Sequence, residues 1–404
     1  MAMLMRKYLL PAGLVLITTL CILFGQYIPI GLKAVFYALS LSIKDLLVSV
    51  LPLIIFSFLF YAMISLGKSS AVFVILLLIM VATSNFVAIT LGYTIGSVVL
   101  PHLPLMLNDA QNTNLLLPLW RLTIPKVISN EWAILAGIVF GLIFAFRPNR
   151  CVEAIAECLN RYANLFLKKL FLPILPIFLL GFIMKLEHED VLKKLFDVYG
   201  AVLLSIVITQ IFYTLLLYLI VANGNVFRAL GYVRNMLPAA LTGFATISSA
   251  ATIPVTMLAT ERNIPSNPEF ARVIIPITAN IHTLGSAIGL TILTLATVLA
   301  FGQNLPTHTQ FFTFAFYYTM AKFAVVGIPG GVVIVVAPLL ERYLGFSSEM
   351  IGLITAIYLL FDPFGTAVNI SCNGAFAIGF KKVYNKIGGR CDDGTTYQSH
   401  GAAC

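Results

Sequence analysis

The stretch Asp362-Pro-Phe-Gly-Thr-Ala-Val-Asn-Ile-Ser-Cys-Asn places polar side chains inside an otherwise apolar run, residues 350–380. At 3.6 residues per turn, Asp362, Thr366, Asn369 and Asn373 fall at i, i+4, i+7 and i+11, one face of a helix long enough to span a bilayer. A carboxylate at mid-membrane costs about 3 kcal/mol on insertion scales, so it turns to a bundle interior or a watery cavity and meets a cation there. The chemistry on offer is binding: Asp362 can receive an ion, a basic side chain or the amino group of a solute. Two further sets of polar groups lie in apolar surroundings. One is the hydroxyl cluster Thr246, Ser248, Ser249 and Thr252 beside Pro254, and the other is the pair His282 and Lys322. No Ser/His or paired-Asp constellation falls at helical spacing within one span, so an enzyme is not expected. The six cysteines form no Cys-x-x-Cys pair and no His cluster has zinc spacing, so neither a metal site nor an organic cofactor is expected.

The elements that must position these residues are membrane helices. Of 404 residues, 60% are hydrophobic and 10% charged, whereas a soluble chain carries about a quarter charged residues. The net charge of +9 would suit nucleic acid or anionic lipid, but the Lys and Arg residues sit mainly at the ends of apolar runs. They therefore read as topology signals, and a nucleic-acid partner is not expected. Their excess falls on the side of the N-terminus, with Arg6, Lys7, Arg147, Arg150, Arg228 and Arg234 among them, which predicts both termini inside a bacterial-type inner membrane.

Apolar runs predict spans at residues 8–28, 36–66, 71–100, 132–146, 163–185 and 195–221. The first is preceded by Arg6 and Lys7 but is too long for a signal core, and it reads as a retained helix. Beyond residue 221 the pattern changes. Leu241-Thr-Gly-Phe-Ala-Thr-Ile-Ser-Ser-Ala-Ala-Thr-Ile-Pro-Val is a poor lipid-facing helix and suits a re-entrant hairpin, because non-helical backbone at membrane depth needs cover from protein or a cavity. The run 273–301 is a span interrupted at Asn280-Ile-His-Thr-Leu-Gly-Ser. A second hairpin is predicted over 311–344 with its tip at Val326-Gly-Ile-Pro-Gly-Gly, followed by the span that contains Asp362. The order hairpin, span, hairpin, span suggests an internal inverted repeat, a common way for secondary transporters to build a site near the midplane. Residues 386–404 read as a disordered cytoplasmic tail.

On Ser248-Ser-Ala-Ala-Thr-Ile-Pro-Val-Thr-Met, Gly327-Ile-Pro-Gly and Asp362 to Asn369, the chain resembles the dicarboxylate/amino acid:cation symporter family, the glutamate transporter homologues. Val48-Ser-Val-Leu-Pro-Leu-Ile-Ile-Phe and the order of spans extend the resemblance over residues 1 to about 385. It implies an all-α polytopic membrane protein with eight transmembrane helices and two re-entrant helical hairpins, assembled as a homotrimer and working as an elevator. A scaffold, about 1–70 and 102–221, would hold a transport unit, about 71–101 and 223–385. The resemblance also implies site roles. Asp362 matches the acid that receives the substrate's amino group, Asn369 and the serines Ser248 and Ser249 match groups on its main-chain carboxylate, and Thr366 lies near its side chain. Gly327 and Pro329 belong to the tip that closes over the solute.

The departures from the family pattern redirect the function. Gly365 stands where glutamate and aspartate transporters carry an Arg for the substrate's side-chain carboxylate. An acidic substrate would lose a bidentate partner there, so a small amino acid with a neutral side chain is expected, with a bulky side chain open if it uses the room that glycine leaves. Asn373 and Leu284 replace two sodium-site acids, and Lys322 replaces a Ser near a third position. This predicts degraded sodium sites, with Lys322 as a tethered cation, His282 and Lys322 as candidate proton carriers, and coupling to protons or to exchange. Each residue has a plainer reading. Asp362 could simply pair with Lys322, Lys322 could snorkel to the interface, His282 could be a satisfied buried histidine, and the hairpin hydroxyls could serve helix packing. The aromatics Phe311, Phe312, Phe314, Phe316, Tyr317 and Tyr318 read as an interfacial belt and packing surface. The alternatives for the whole chain are a symporter that keeps sodium with altered ligands, and a transport-dead sensor or assembly subunit.

Overall fold

Among the residues described, every regular element is a helix. The computed structural model describes residues 21, 24–66, 71–105, 116–122, 124–125, 128–147, 149–188, 191–325 and 330–387. Most of the expected first span, the tail from 388 and the hairpin-tip residues Gly327 and Pro329 lie outside them. In chain order the helices are α1 (Ile30–Leu66), α2 (Ala71–Val99), α3 (Asn130–Phe146), α4 (Arg150–Leu165) and α5 (Leu172–His188). They continue with α6 (Val191–Val221), α7 (Val226–Thr246), α8 (Ser249–Asn263), α9 (Pro268–Ile281) and α10 (Leu284–Ala300). The last three are α11 (His308–Ala321), α12 (Gly331–Leu344) and α13 (Ser348–Lys386).

Local chemistry sets where these helices start. Side-chain caps from Ser129, Asn149, Asn225, Ser248, Asn267 and Ser347 accept first-turn N–H groups, and Thr307 with Gln310 forms a reciprocal capping box at α11. Two expected bounds shift. The helix expected over 36–66 begins at Ile30, because its first turn carries a buried Lys33 that is paired with the part-buried Glu187 and so needs no apolar side chain there. The span expected over 163–185 is two helices, α4 and α5, joined through a single π-helical turn at Phe166–Phe171.

Val72–His102, Tyr199–Val221, Pro268–Ala300 and Ser348–Lys386 are long and apolar enough to cross a membrane by length and composition. The Pro268–Ala300 stretch is α9 and α10 in series, and nearly all of α10 is buried. A helix hidden all round belongs at the centre of a bundle. Around it stand α2, α6 and α13, and α13 also packs on α7, α8 and α9. The sequential pairs α7/α8 and α11/α12 pack against each other. A second group forms where α1 packs on α3, α4 and α5.

Glycines let the second group approach α13. A Cβ at Gly181 of α5 would collide with the Phe36 carbonyl and the Ser40 hydroxyl of α1, and one at Gly352 of α13 would collide with the Phe182 ring. Such close backbone approach is how membrane helices associate without a hydrophobic driving force. Ion pairs sit at the same level. Lys33 Nζ lies 2.6 Å from Glu187 Oε2, and Lys185 Nζ lies 3.2 Å from Glu349 Oε1. The Tyr37 hydroxyl donates to Glu349 Oε1 at 3.0 Å, and the Lys185 ammonium stands 5.2 Å from the Tyr37 ring centroid. The first turn of α13 is thus fastened to both α1 and α5.

Breaking one half of a buried ion pair costs about 3–5 kcal/mol, because the other charge stays behind, whereas removing both halves is often nearly neutral. Lys33→Met is therefore expected to lower the thermal unfolding midpoint of the purified protein, and Lys33→Met/Glu187→Met to recover most of the loss. Equal destabilisation by the single and double variants would contradict the pairing.

Candidate functional site

The site is built around the interruption between α9 and α10. A helix broken inside a membrane leaves backbone N–H and C=O groups that only protein or a lined cavity can satisfy. Here the break is short. His282 and Thr283 alone leave the helix, with His282 N–H still donating to Thr278 O at 2.9 Å and Ala287 N–H to Thr283 O at 3.0 Å. The sequence had suggested a longer interruption, 280–286.

Side chains from four directions meet the groups at the break. From α2, Asn85 Nδ2 donates to Ile281 O at 2.8 Å, and from α6, Gln210 Nε2 donates to Gly285 O at 2.8 Å. From the first arm of the α11/α12 pair, the Tyr318 hydroxyl donates to Ser286 O at 3.3 Å. From the end of that arm, Lys322 Nζ donates to Thr283 O at 2.7 Å and to Thr283 Oγ1 at 2.6 Å, and it stands 5.3 Å from the Tyr318 ring centroid. From α13, Asn369 Oδ1 accepts the Ser286 N–H at 3.1 Å while Asn369 Nδ2 donates to Ser286 Oγ at 2.8 Å. His282 spans two helices, with Nδ1 2.8 Å from Asn373 Oδ1 and Nε2 3.0 Å from Ser84 Oγ. With Oδ1 as acceptor, Nδ1 carries the proton and Nε2 accepts from Ser84, so a neutral imidazole is satisfied at both nitrogens.

Lys322 is 0% exposed, which removes the snorkelling reading. Nor does it pair with Asp362, whose partner lies elsewhere. Asp362 Oδ2 accepts the backbone N–H of Gly330 at 2.8 Å, just ahead of α12. A carboxylate at a helix N-terminus is favoured by the helix dipole and by the free N–H groups there. Gly330 has φ +71°, and a Cβ on it would lie 2.7 Å from Leu359 Cδ2, so the approach requires glycine. Among the described residues Asp362 forms no ion pair. Thr366, Asn369 and Asn373 share its buried face of α13.

Gly365 borders the same place. A Cβ there would stand 3.7 Å from the nitrogen and from the hydroxyl of Ser286, so residue 286 flanks the glycine in place of open space. On the facing side Gly285 is tighter, because its Cβ would lie 2.5 Å from Gly365 O and 2.7 Å from Val368 Cβ. In the α7/α8 pair the turn is Thr246-Ile247-Ser248. Ile247 is left-handed at φ 50°, a conformation that costs a β-branched residue about 1–2 kcal/mol. Its buried side chain helps to hold the turn. Ser248 caps α8 through Ala251 N–H, Ser249 and Thr252 are buried, and Thr252 Oγ1 donates to Ser248 O at 2.7 Å. Helices α8 and α13 pack together, as do α7 and α13, where a Cβ at Gly243 would collide with Ile370.

The sequence profile of the sodium:dicarboxylate symporter family matches residues 10–383. The chain belongs to that family. It is similar to excitatory amino acid transporter 3 of Mus musculus, with 28% identity over 62% of this chain and 47% of the relative. It is also similar to the serine/threonine transporter SstT of Streptococcus thermophilus, with 27% identity over 59% of this chain and 60% of the relative. A second SstT, from Acinetobacter baumannii, is 33% identical over 34% of each chain. The chain thus spans about half of the mouse relative's length and somewhat more of the streptococcal one. As in other members of a transporter family, the apolar helices mark an integral membrane protein.

The family name implies sodium, and two positions at the break, 283 and 284, do not offer that ion a ligand. Sodium wants hard oxygen ligands, yet position 284 is an apolar, fully buried Leu and the two Thr283 oxygens already accept from Lys322 Nζ. None of the groups bonded at the break is a carboxylate. The sequence reading missed Ser84, Asn85, Gln210, Thr283, Ser286 and Tyr318. Asn85 and Gln210 carried a usable signal, since a carboxamide inside an apolar run has to find a partner. Tyr318 was hidden in the aromatic cluster read as an interfacial belt. That cluster divides, with Phe311, Phe314 and Tyr318 buried and Phe312 and Phe316 exposed.

The two glycines give a contrast. Gly285→Ala drives a methyl group against the Gly365 carbonyl, an overpacking that costs about 1–3 kcal/mol, whereas Gly365→Ala meets only ordinary contacts. Thermal unfolding of the two variants should show a clear drop for the first and little change for the second. The reverse order would mean that the α10/α13 contact is drawn wrongly.

Proposed function

We propose that the protein is a secondary active transporter of a small amino acid with a neutral side chain, coupled to protons or to exchange rather than to sodium. The observation that carries this reading is Asp362, a buried carboxylate with no ion-pair partner among the described residues, poised at the N-terminus of α12. The missing partner is the travelling ammonium of the substrate. Asn369, Ser248 and Ser249 would receive its carboxylate and Thr366 would face its side chain, with Gly327 and Pro329 in the tip that closes over it. Ser286 at the border of Gly365 favours a short side chain, and the similarity to transporters named for serine and threonine supports the same size class.

Lys322 supplies, as part of the protein, the positive charge that a coupling ion would bring. With Asp362 it gives the site one fixed charge of each sign, a balance suited to a zwitterion. His282, satisfied by Ser84 and Asn373, serves as a strut between α2, the break and α13. Proton movement would then involve Lys322, whose charge-assisted bonds to Thr283 are lost when it is neutral. The sodium-coupled alternative has one feature in its favour. The buried carboxamide oxygens Asn85 Oδ1, Gln210 Oε1 and Asn280 Oδ1 have no hydrogen-bond partner among the described residues.

Two helical groups support an elevator. Helices α1, α3, α4 and α5 would form the scaffold, and α2 with α7–α13 the moving unit. Helix α6 lies within the stretch 102–221 expected in the scaffold, but it packs on α7, α10 and α13 and in this proposal would travel with the moving unit. In this reading the α7/α8 and α11/α12 pairs are re-entrant hairpins, and the protein is a homotrimer in a bacterial inner membrane with both termini cytoplasmic. Counterflow of labelled L-serine into proteoliposomes tests the proposal. Uptake is expected in sodium-free medium and is expected to be abolished by Asp362→Asn. Uptake driven by a sodium gradient alone, and lost without it, would overturn the coupling. Failure to bind or move any amino acid would favour a transport-dead sensor or assembly subunit.

A further inference from the structure

Asn369 offers three hydrogen-bonding functions from its carboxamide, one acceptor oxygen and two N–H donors. Ser286 engages two of them. Its backbone N–H points at Oδ1 (3.1 Å) and its hydroxyl accepts from Nδ2 (2.8 Å). A backbone N–H is unambiguously a donor, so the carboxamide oxygen must face it, and a flipped amide would set N–H against N–H. Ser286 is itself held. Its carbonyl accepts from Tyr318, the preceding carbonyl accepts from Gln210, and the residue is 1% exposed. Among the described residues, the second N–H of Asn369 is the one donor of the carboxamide left over.

We propose that Ser286 is a positioning residue that locks the Asn369 carboxamide so that its remaining N–H is presented to the substrate's carboxylate. This rests on the amino acid transport reading above, in which Asn369 meets that carboxylate. Without the Ser286 hydroxyl the amide keeps only its acceptor bond and can swing about χ2, so the donor is no longer pre-aimed and affinity for the carboxylate falls. Ser286 touches Asn369 and acts through it.

The test is isothermal titration of the purified full-length protein with L-serine and with L-serinamide, which lacks the carboxylate. Ser286→Ala is expected to weaken L-serine binding about tenfold, the worth of one well-formed hydrogen bond. Ser286→Thr, which keeps the hydroxyl, should stay near wild type. On an Asn369→Ala background Ser286→Ala should cost nothing more, and it should weaken L-serinamide binding far less than L-serine binding. Ser286→Cys, close in size but a poor acceptor, should follow Ser286→Ala and guards against a variant that fails to fold. The proposal is overturned if Ser286→Ala binds L-serine as wild type does, if Ser286→Thr is as weak as Ser286→Ala, or if the loss persists at full size without Asn369. It is also overturned if L-serinamide weakens equally. A wild-type protein that responds to no amino acid overturns the transport reading and this proposal together, whereas a wild type that binds normally isolates the failure to Ser286.

Discussion

An interrupted helix in a low-dielectric interior has to find a hydrogen-bonding partner for each backbone group that it frees. This requirement governs the arrangement around His282 and Thr283. The freed Ile281 carbonyl accepts from Asn85 and the freed Ser286 N–H donates to Asn369, while the carbonyls of Thr283, Gly285 and Ser286, where α10 begins, each take a further side-chain donor from the α11 arm or from α6. A break satisfied in this way is also a junction, because each donor fixes its own helix to the same two-residue gap. The bundle around α10 therefore organises about a polar centre as much as about an apolar core.

One of those donors is the amine of a lysine, the only basic side chain among the four. A buried ammonium is costly unless its hydrogen bonds are made, and Lys322 makes two to Thr283 and lies over the Tyr318 ring. The opposite charge, Asp362, is held apart from it on the N–H of Gly330. Gly330 and the Thr283 oxygens thus hold the two side chains on separate partners.

Much of this was legible in the sequence. The polar face of α13 followed from the spacing of Asp362, Thr366, Asn369 and Asn373 alone, and the weak lipid compatibility of 241–255 marked the α7/α8 turn. The family pattern then flagged Gly365, Leu284 and Lys322 as departures. What stayed hidden was long-range pairing. Ser286 and Thr283 look like ordinary small polar residues at a break, and nothing local says that Asn369 and Lys322, 83 and 39 residues away, will bond to them. The extent of the break was also overread, because α10 resumes helical bonding at once through Ala287 N–H and Thr283 O. Ion pairs such as Lys185 with Glu349 were beyond reach for the same reason, since they depend on which helix ends the fold brings level.

The central claim is that a side-chain ammonium occupies the position that a coupling cation would need at the break. Anomalous diffraction from crystals soaked in thallium, a heavy stand-in for monovalent cations, examines that position directly. The account predicts no anomalous peak within coordination distance of the Thr283 oxygens, with side-chain density for Lys322 reaching them instead. A peak bound to Thr283, with Lys322 turned away, would contradict it.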